Sequence, residues 1–455
     1  MSIISQTSSY AKSHDTSMSL SDEMHSTQQI NFPLEIQTQL NNFFSLSLNN
    51  SISNSNISLN NFVSVQNISL FKEVLITSKD INAKFYSIEA LLFLFTNYSN
   101  QISSTETLDI YSNLMALIFN IDSSLNNSLN SQINSNQQQK KIIYNLMIKL
   151  LCRIVRLNWS QISEMRNIYD TIFSYTNEDF SPSLIIPFDI FTELIYQFQS
   201  YDGIKNNPIQ INKMQKVISE FKDSTLLQIF NYSMTILFSL FQHKFKTENM
   251  EEFMGYINKI SKCLNECMDY EDDLNAKEDN YSKFEIKPVF IPNNRKRLKD
   301  KKLDIEVLCN LSQNLFDTYS SILKAMTTDN SISNEKILRE SSSSLKLLKK
   351  LLVMKVVYLD INKIQLLKIY QDGLGNILFN RKGFIHHSLI CEMIYNFKKN
   401  YSYPDLLDNT QFFNYIFEFT NETLFEIKNN KKNDLMQGYI YLLRFFGYFS
   451  HNIKT

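Results

Sequence analysis

The chain has 455 residues, 45 basic and 46 acidic for a net charge of −1, and only 7 glycines and 7 prolines. So few of the two turn-forming residues leave little material for the tight turns of a β-sandwich, a barrel or a Rossmann sheet. With charge in balance, no overall field draws the chain to nucleic acid or an anionic membrane, and local surface must select its partners.

Residues 1–30 read as a disordered Ser-rich tail, since Met1 to Glu23 lacks the apolar core of a secretory signal or an anchor. The longest apolar stretch, around Ala90 to Phe95, falls well short of the eighteen or so residues a membrane helix needs, so the chain reads as soluble. From Ile81 onward apolar residues recur at helical spacing. Phe85, Ile88, Leu91, Leu92 and Phe95 form one stripe, and Leu108, Tyr111, Leu114, Met115 and Ile118 another. The pattern continues over Ile142–Leu157, Ile162–Tyr175, Leu184–Gln199, Ile211–Phe221, Leu226–Phe241 and Glu252–Cys267. Asn- and Ser-rich tracts at 41–61 and 120–139 bury too little apolar surface to fold and read as loop inserts without a function of their own.

Residues 271–302 form a charged break, acidic from Glu271 to Asp279 and basic from Arg295 to Lys302. The basic run reads as a solvated loop, with a localisation signal or an acidic partner as the functional alternative. Helical spacing resumes over Leu303–Leu323, Asn334–Val356, Gly383–Lys398, Phe412–Ile427 and Leu435–Phe449. Helix pairs recurring every forty or so residues predict an all-α chain, an α-solenoid of HEAT/armadillo-like antiparallel helix pairs spanning 31–270 and 303–455.

Few residues invite a chemical reading. The five cysteines Cys152, Cys263, Cys267, Cys309 and Cys391 are odd in number and scattered, which fits a reducing compartment. Cys263 and Cys267 stand one helical turn apart without a second pair or a nearby histidine, so they read as buried structural thiols. Asp372-Gly373-Leu374-Gly375-Asn376 has neither a preceding strand nor a following Lys-Ser or Lys-Thr, and reads as an inter-helix turn. His386-His387 reads as an ordinary helix position. No acid–base pair, nucleophile arrangement, metal set or cofactor loop is legible, so the expectation is a binding protein, not an enzyme.

Three stretches together resemble the exportin-7 type of nuclear export receptor in the importin-β superfamily. Ile154-Val155-Arg156-Leu157-Asn158-Trp159 is similar to that family's Ile-x-Lys-Leu-Gly-Trp, departing at Asn158. Phe221-Lys222-Asp223-Ser224-Thr225-Leu226-Leu227-Gln228-Ile229-Phe230 follows its Phe-Arg-Asp-Ser-Ser-Leu-x-x-Ile-Phe almost position for position. Here Asp223 or Ser224 is expected to cap the following helix, while Phe221, Leu226, Leu227 and Phe230 pack the repeat. Cys391, Asn400-Tyr401 and Asp405-Leu406 stand at the intervals of the family's Cys, Asn-Tyr and Glu-Leu. Weaker similarity begins near Phe71 and includes Asp109-Ile110 opening a helix.

The resemblance implies a shuttling receptor of nucleus, cytoplasm and nuclear pore. It implies as partners the small GTPase Ran in its GTP form, bound by the N-terminal repeats within 31–270, together with protein cargo and the FG-repeat proteins of the pore. Neither nucleic-acid binding nor membrane insertion is expected. Leu157, Trp159, Phe221, Asp223, Ser224, Leu226, Ile229, Phe230, Asn400 and Tyr401 are its signature positions, as packing and capping residues and not as assigned contacts. Family members are more than twice as long, so the expectation is an N-terminal portion or a truncated paralogue. The alternative is a helical-repeat interaction scaffold without dependence on Ran.

Overall fold

The computed structural model of the chain describes residues 32, 36–38, 40, 63–120, 135–175, 185–199, 208–242, 250–269, 303–328, 338–339, 341–353, 360–381, 385–400, 409–429 and 433–452. The described residues are all-α, with no strand among them. The predicted tail, the insert at 41–61 and the charged break at 271–302 lie outside them.

The helices are α1 (Ile68–Thr77), α2 (Ile81–Tyr98), α3 (Ser104–Phe119), α4 (Ser135–Asn158), α5 (Ser163–Arg166), α6 (Ile168–Ser174), α7 (Ile185–Gln199) and α8 (Pro208–Phe221). They continue as α9 (Leu227–Gln242), α10 (Met250–Met268), α11 (Leu303–Thr328), α12 (Ser342–Val353), α13 (Asp360–Asn380), α14 (His387–Asn400), α15 (Thr410–Asn429) and α16 (Asn433–Asn452). Local chemistry starts several of them. Asp80 accepts the Asn82 amide at 2.9 Å, Ser103 the Glu106 amide at 3.2 Å and Asn409 the Phe412 amide at 3.0 Å, each satisfying a first-turn donor.

Contacts order the helices into two rows. In the first, α2, α4, α7, α10, α12, α14 and α16 each pack on the next. In the second, α1 meets α3, and α9, α11, α13 and α15 follow one another. The short α6 fills the gap between α3 and α9: Tyr175 at its end stacks on Phe119, and its Phe173 meets Tyr232 edge-on at 4.6 Å. Across the rows α1 packs on α2, α3 on α4, α9 on α10, α11 on α12 and α15 on α16. The predicted stripes face this interior. Ile88, Leu91, Leu92 and Phe95 of α2 are buried, as are Tyr111, Leu114, Met115 and Ile118 of α3. One cluster of buried side chains runs through both rows from Phe71 to Phe445, each large apolar member contributing about 1.5–3 kcal/mol.

Five sequence expectations are corrected. Asp372–Asn376 is not a turn but lies inside α13, a helix the periodicity had passed over. Each glycine there costs the helix about 1 kcal/mol, but the lack of a side chain at Gly373 admits the buried Phe316 ring of α11, where a Cβ has no room. Asp109 does not open α3: it sits a turn and a half inside and pairs with Lys72 of α1. Within the polar tract 120–139, residues from Ser135 onward already belong to α4. His386 is not a helix position either. It stands ahead of α14 with φ 55° and lends its carbonyl to the Ile390 amide at 3.0 Å. The predicted helix over 162–175 is split at Asn167 into α5 and α6.

The segment Asn212–Phe241, running through α8 and α9, is long and apolar enough to cross a membrane by length and composition. In this fold its Ile218, Phe221, Leu226, Ile229, Leu237 and Leu240 are buried.

A further close approach joins α14 to α16. A Cβ at Gly438 falls 2.5 Å from the ring of buried His387, whose other neighbours are the Cys391 Sγ, 3.6 Å from its Nε2, and the Phe419 ring. Gly438→Ala is therefore expected to lower unfolding stability by about 1–3 kcal/mol through overpacking. Gly447→Ala on the same helix, where an added Cβ meets nothing within 4 Å, is expected to raise it by up to about 1 kcal/mol, both read by chemical denaturation.

Burial, and then the charge of Arg381, pull the His387 imidazole down to about 4. Its folded pKa lies below the unfolded value of about 6.5, so protonation favours the unfolded chain. Stability present above pH 6.5 should fall by on the order of 2–3 kcal/mol as the pH drops from 6.5 towards 4. Denaturation midpoints across that range check this, with His387→Gln expected to flatten the slope.

Candidate binding face

The signature residues separate by burial. Trp159 closes α4 and packs edge-on against Phe198 of α7 at 5.0 Å and Phe221 of α8 at 5.6 Å, while Phe198 and Phe221 stack at 4.0 Å. Thus Trp159 and Phe221, 62 residues apart in sequence, meet in one aromatic cluster, and all three rings are buried. Leu226 and Ile229 are buried beneath them, whereas Leu157 and Phe230 are half-buried. Arg156 is buried with its guanidinium 4.0 Å from the Met214 sulfur.

Asp223 and Ser224 do not cap α9, which corrects the capping expectation. Residues Lys222–Leu226 form a π-turn that carries α8 into α9 without a break, so no free N-terminus exists there. Both side chains are exposed, and the Ser224 hydroxyl donates backwards to the Glu220 carbonyl at 2.7 Å. Asn400 is the last residue of α14, and Tyr401 lies outside the described residues. The third motif is therefore represented by Cys391, a buried thiol pushed well up by burial and then by the charge of Asp434.

The first row also carries a polar face that sequence reasoning missed. On α7, Asp189, Thr192 and Glu193 lie at i, i+3, i+4 spacing; Asn145 and Ile148 of α4 and Lys259 and Lys262 of α10 face them. Together they line an open cleft of about 310 Å³. Asp189 anchors it, accepting from Lys259 Nζ at 2.6 Å and from the Tyr144 hydroxyl at 3.2 Å. Burial first, and then Asp189, push the Tyr144 phenol well up, so it stays a donor. Glu193 accepts from Gln197 at 2.6 Å.

Farther along the row the same logic recurs. Lys350 of α12 donates to the Asn265 carbonyl at 2.8 Å and pairs with Asp269 at the end of α10. Asn265 in turn donates to the Ser343 carbonyl at 2.8 Å, and Lys349 pairs with Glu392 of α14 at 3.0 Å. Burial lowers the Lys350 amine, which Asp269 opposes. Charges therefore alternate along the row: acidic on α7, basic then acidic on α10, basic on α12 and acidic on α14. Lys350 is buried and the Asp189–Lys259 and Lys349–Glu392 pairs are half-buried, so desolvation offsets much of their attraction and their effect lies more in fixing register than in strength.

Chemically the face is fitted to hold charged groups. Cys152, beside the cleft, is buried with its thiol directed at the Ile190 carbonyl, and burial and then Glu193 hold it protonated. Burial and the adjacent Cys263 likewise raise the Cys267 thiol, and Ser233 donates to Cys263 at 3.7 Å. No group of three or more His, Cys, Asp or Glu side chains among the described residues is placed to hold a metal ion.

The ladder was hidden because its partners lie 70, 81 and 43 residues apart, and each helix alone shows only a solvated polar stripe. The one local hint is Lys346-Leu347-Leu348-Lys349-Lys350-Leu351-Leu352, where Lys350 interrupts an apolar stripe and so needed a buried acceptor. A scan of the chain against family models matches none of them, and a search of the curated proteins gives no match.

Trp159→Ala is expected to cost about 3–5 kcal/mol by opening a cavity among Phe198 and Phe221. Ser224→Ala, by contrast, should change stability by less than about 0.5 kcal/mol, because its hydroxyl caps nothing. Paired denaturation curves distinguish this packing account from a capping one, under which Ser224→Ala costs about 1 kcal/mol.

Proposed function

We propose that the chain is an α-solenoid of HEAT/armadillo-like antiparallel helix pairs acting as a nuclear transport receptor of the exportin kind. It binds Ran in its GTP form and protein cargo cooperatively, uses FG-repeat proteins of the pore for passage, and shuttles between nucleus and cytoplasm. It is not an enzyme and needs no cofactor of its own, GTP hydrolysis being Ran's chemistry, and it enters neither nucleic-acid complexes nor membranes.

The observation that carries this reading is the meeting of two motif stretches in one buried cluster. Trp159, Phe198 and Phe221 join α4, α7 and α8, so the residues carrying the resemblance also fix three consecutive parts of the array. The polar cleft over α4, α7 and α10 supplies charged side chains on neighbouring helices of the same region. A stack of helix pairs has a shared curvature that two ligands can both prefer, which couples their affinities by about 1–3 kcal/mol.

A net charge of −1 favours the second reading, a helical-repeat scaffold without Ran dependence, because receptors of this kind are clearly acidic. Calorimetry of the purified chain with Ran loaded with GTP or GDP decides between them. The receptor reading expects at least about tenfold tighter binding of the GTP form. Equal or absent binding removes that reading and leaves the scaffold.

A further inference from the structure

The cleft over α4, α7 and α10 is short of positive charge at its inner wall. Asp189 and Glu193 stand one turn apart on α7, which puts their Cβ atoms about 5–6 Å from each other on one face. Asp189 is neutralised by Lys259 at 2.6 Å. Glu193 is half-buried, and among the described residues it pairs with no lysine or arginine. Its partner is the neutral Gln197 amide, 2.6 Å away. Gln197 is 1% exposed, and the carbonyl oxygen of the amide it aims at Glu193 is buried without a donor. Two acceptors therefore lie side by side with one N–H between them, which leaves this corner of the cleft short of donors.

The nearest remaining cation does not supply them. Lys262 is exposed at the rim and screened by solvent, and its charge also acts on Glu266 one turn further along α10. The buried groups beside the cleft register the negative field: after burial, Asp189 raises the Tyr144 phenol and Glu193 the Cys152 thiol. The rest of the lining is neutral. Asn145 and Thr192 each offer an acceptor, and Ile148 an apolar patch of floor. A volume of about 310 Å³ is at the small end of ligand sites, with room for one long side chain.

We propose that the cleft is a subsite for an arginine side chain of a protein partner. The guanidinium pairs with the second Glu193 oxygen and reaches the Asp189, Thr192 and Asn145 oxygens, while its methylene stem lies on Ile148. A planar group with five N–H donors fits acceptors spread over two helices better than a lysine ammonium with three. An anion is disfavoured, since it would sit against Glu193 with only Lys262 to hold it. The inference goes beyond both readings above, because it names what the cleft holds whether or not Ran is bound.

Methyl-resolved NMR of the full chain tests it, with the Ile148 signal assigned by its loss in Ile148→Val and Nα-acetyl-arginine amide as the probe. A saturable shift is expected, with Kd on the order of 1 mM for a single charge-assisted pair. The citrulline analogue, of the same shape without the charge, should leave the signal unmoved, and Glu193→Gln should weaken arginine binding about tenfold or more. Lys262→Glu adds a carboxylate at the rim and should tighten binding about threefold or more, a gain that a misfolded variant cannot give. The absence of a saturable shift overturns the proposal. So does an equal response to citrulline, or binding indifferent to Glu193→Gln. A shift produced by inorganic phosphate and lost in Lys262→Ala makes the cleft an anion site and overturns it as well.

Discussion

The structure depends on one constraint: no helix pair in this chain can cover its own apolar side. The inner helices of the first row each have a neighbour behind and one ahead, and α2, α4, α10, α12 and α16 also meet a helix of the second row, so buried residues are shared between neighbours. The single cluster of buried side chains running from Phe71 to Phe445 is the result. Stability of such an array is a sum of terms between neighbours, so a defect at one seam weakens the pairs on either side before the rest.

Apolar stripes alone tolerate sliding, and the seams carry devices that do not. One device is close approach through a missing side chain, with Phe316 against Gly373 between α11 and α13 and His387 against Gly438 between α14 and α16. The other is the chain of charged contacts from Asp189–Lys259 through Asp269–Lys350 to Lys349–Glu392. Each contact is weak, but Lys350 is nearly buried, and a register that parted it from Asp269 and the Asn265 carbonyl would leave an uncompensated ammonium. The aromatic joint of Trp159, Phe198 and Phe221 serves the same end where α8 and α9 run on through a π-turn.

The helical character of the chain and most helix positions were legible because amphipathic spacing is a local signal. Where that signal fades, the reading failed. In α13 the exposed Ile364 and Phe379 and two interior glycines blur the stripe, and what makes it a helix is the Phe316 ring from a segment 57 residues earlier. The Asp223-Ser224 pair looks like a cap because sequence cannot tell a helix start from a π-turn that continues one. Trp159 and Phe221 were recognised by motif, but their contact, like every rung of the charged ladder, joins residues too distant for any periodicity to pair.

The arrangement rests on the order in which the first-row helices touch, and carbodiimide coupling followed by peptide mass spectrometry reads that order directly, since it joins carboxylates only to amines already in contact. The two-row arrangement predicts isopeptide links Asp189–Lys259, Asp269–Lys350 and Glu392–Lys349 within the monomer. Recovery of those carboxylates joined instead to lysines of non-neighbouring helices would contradict it.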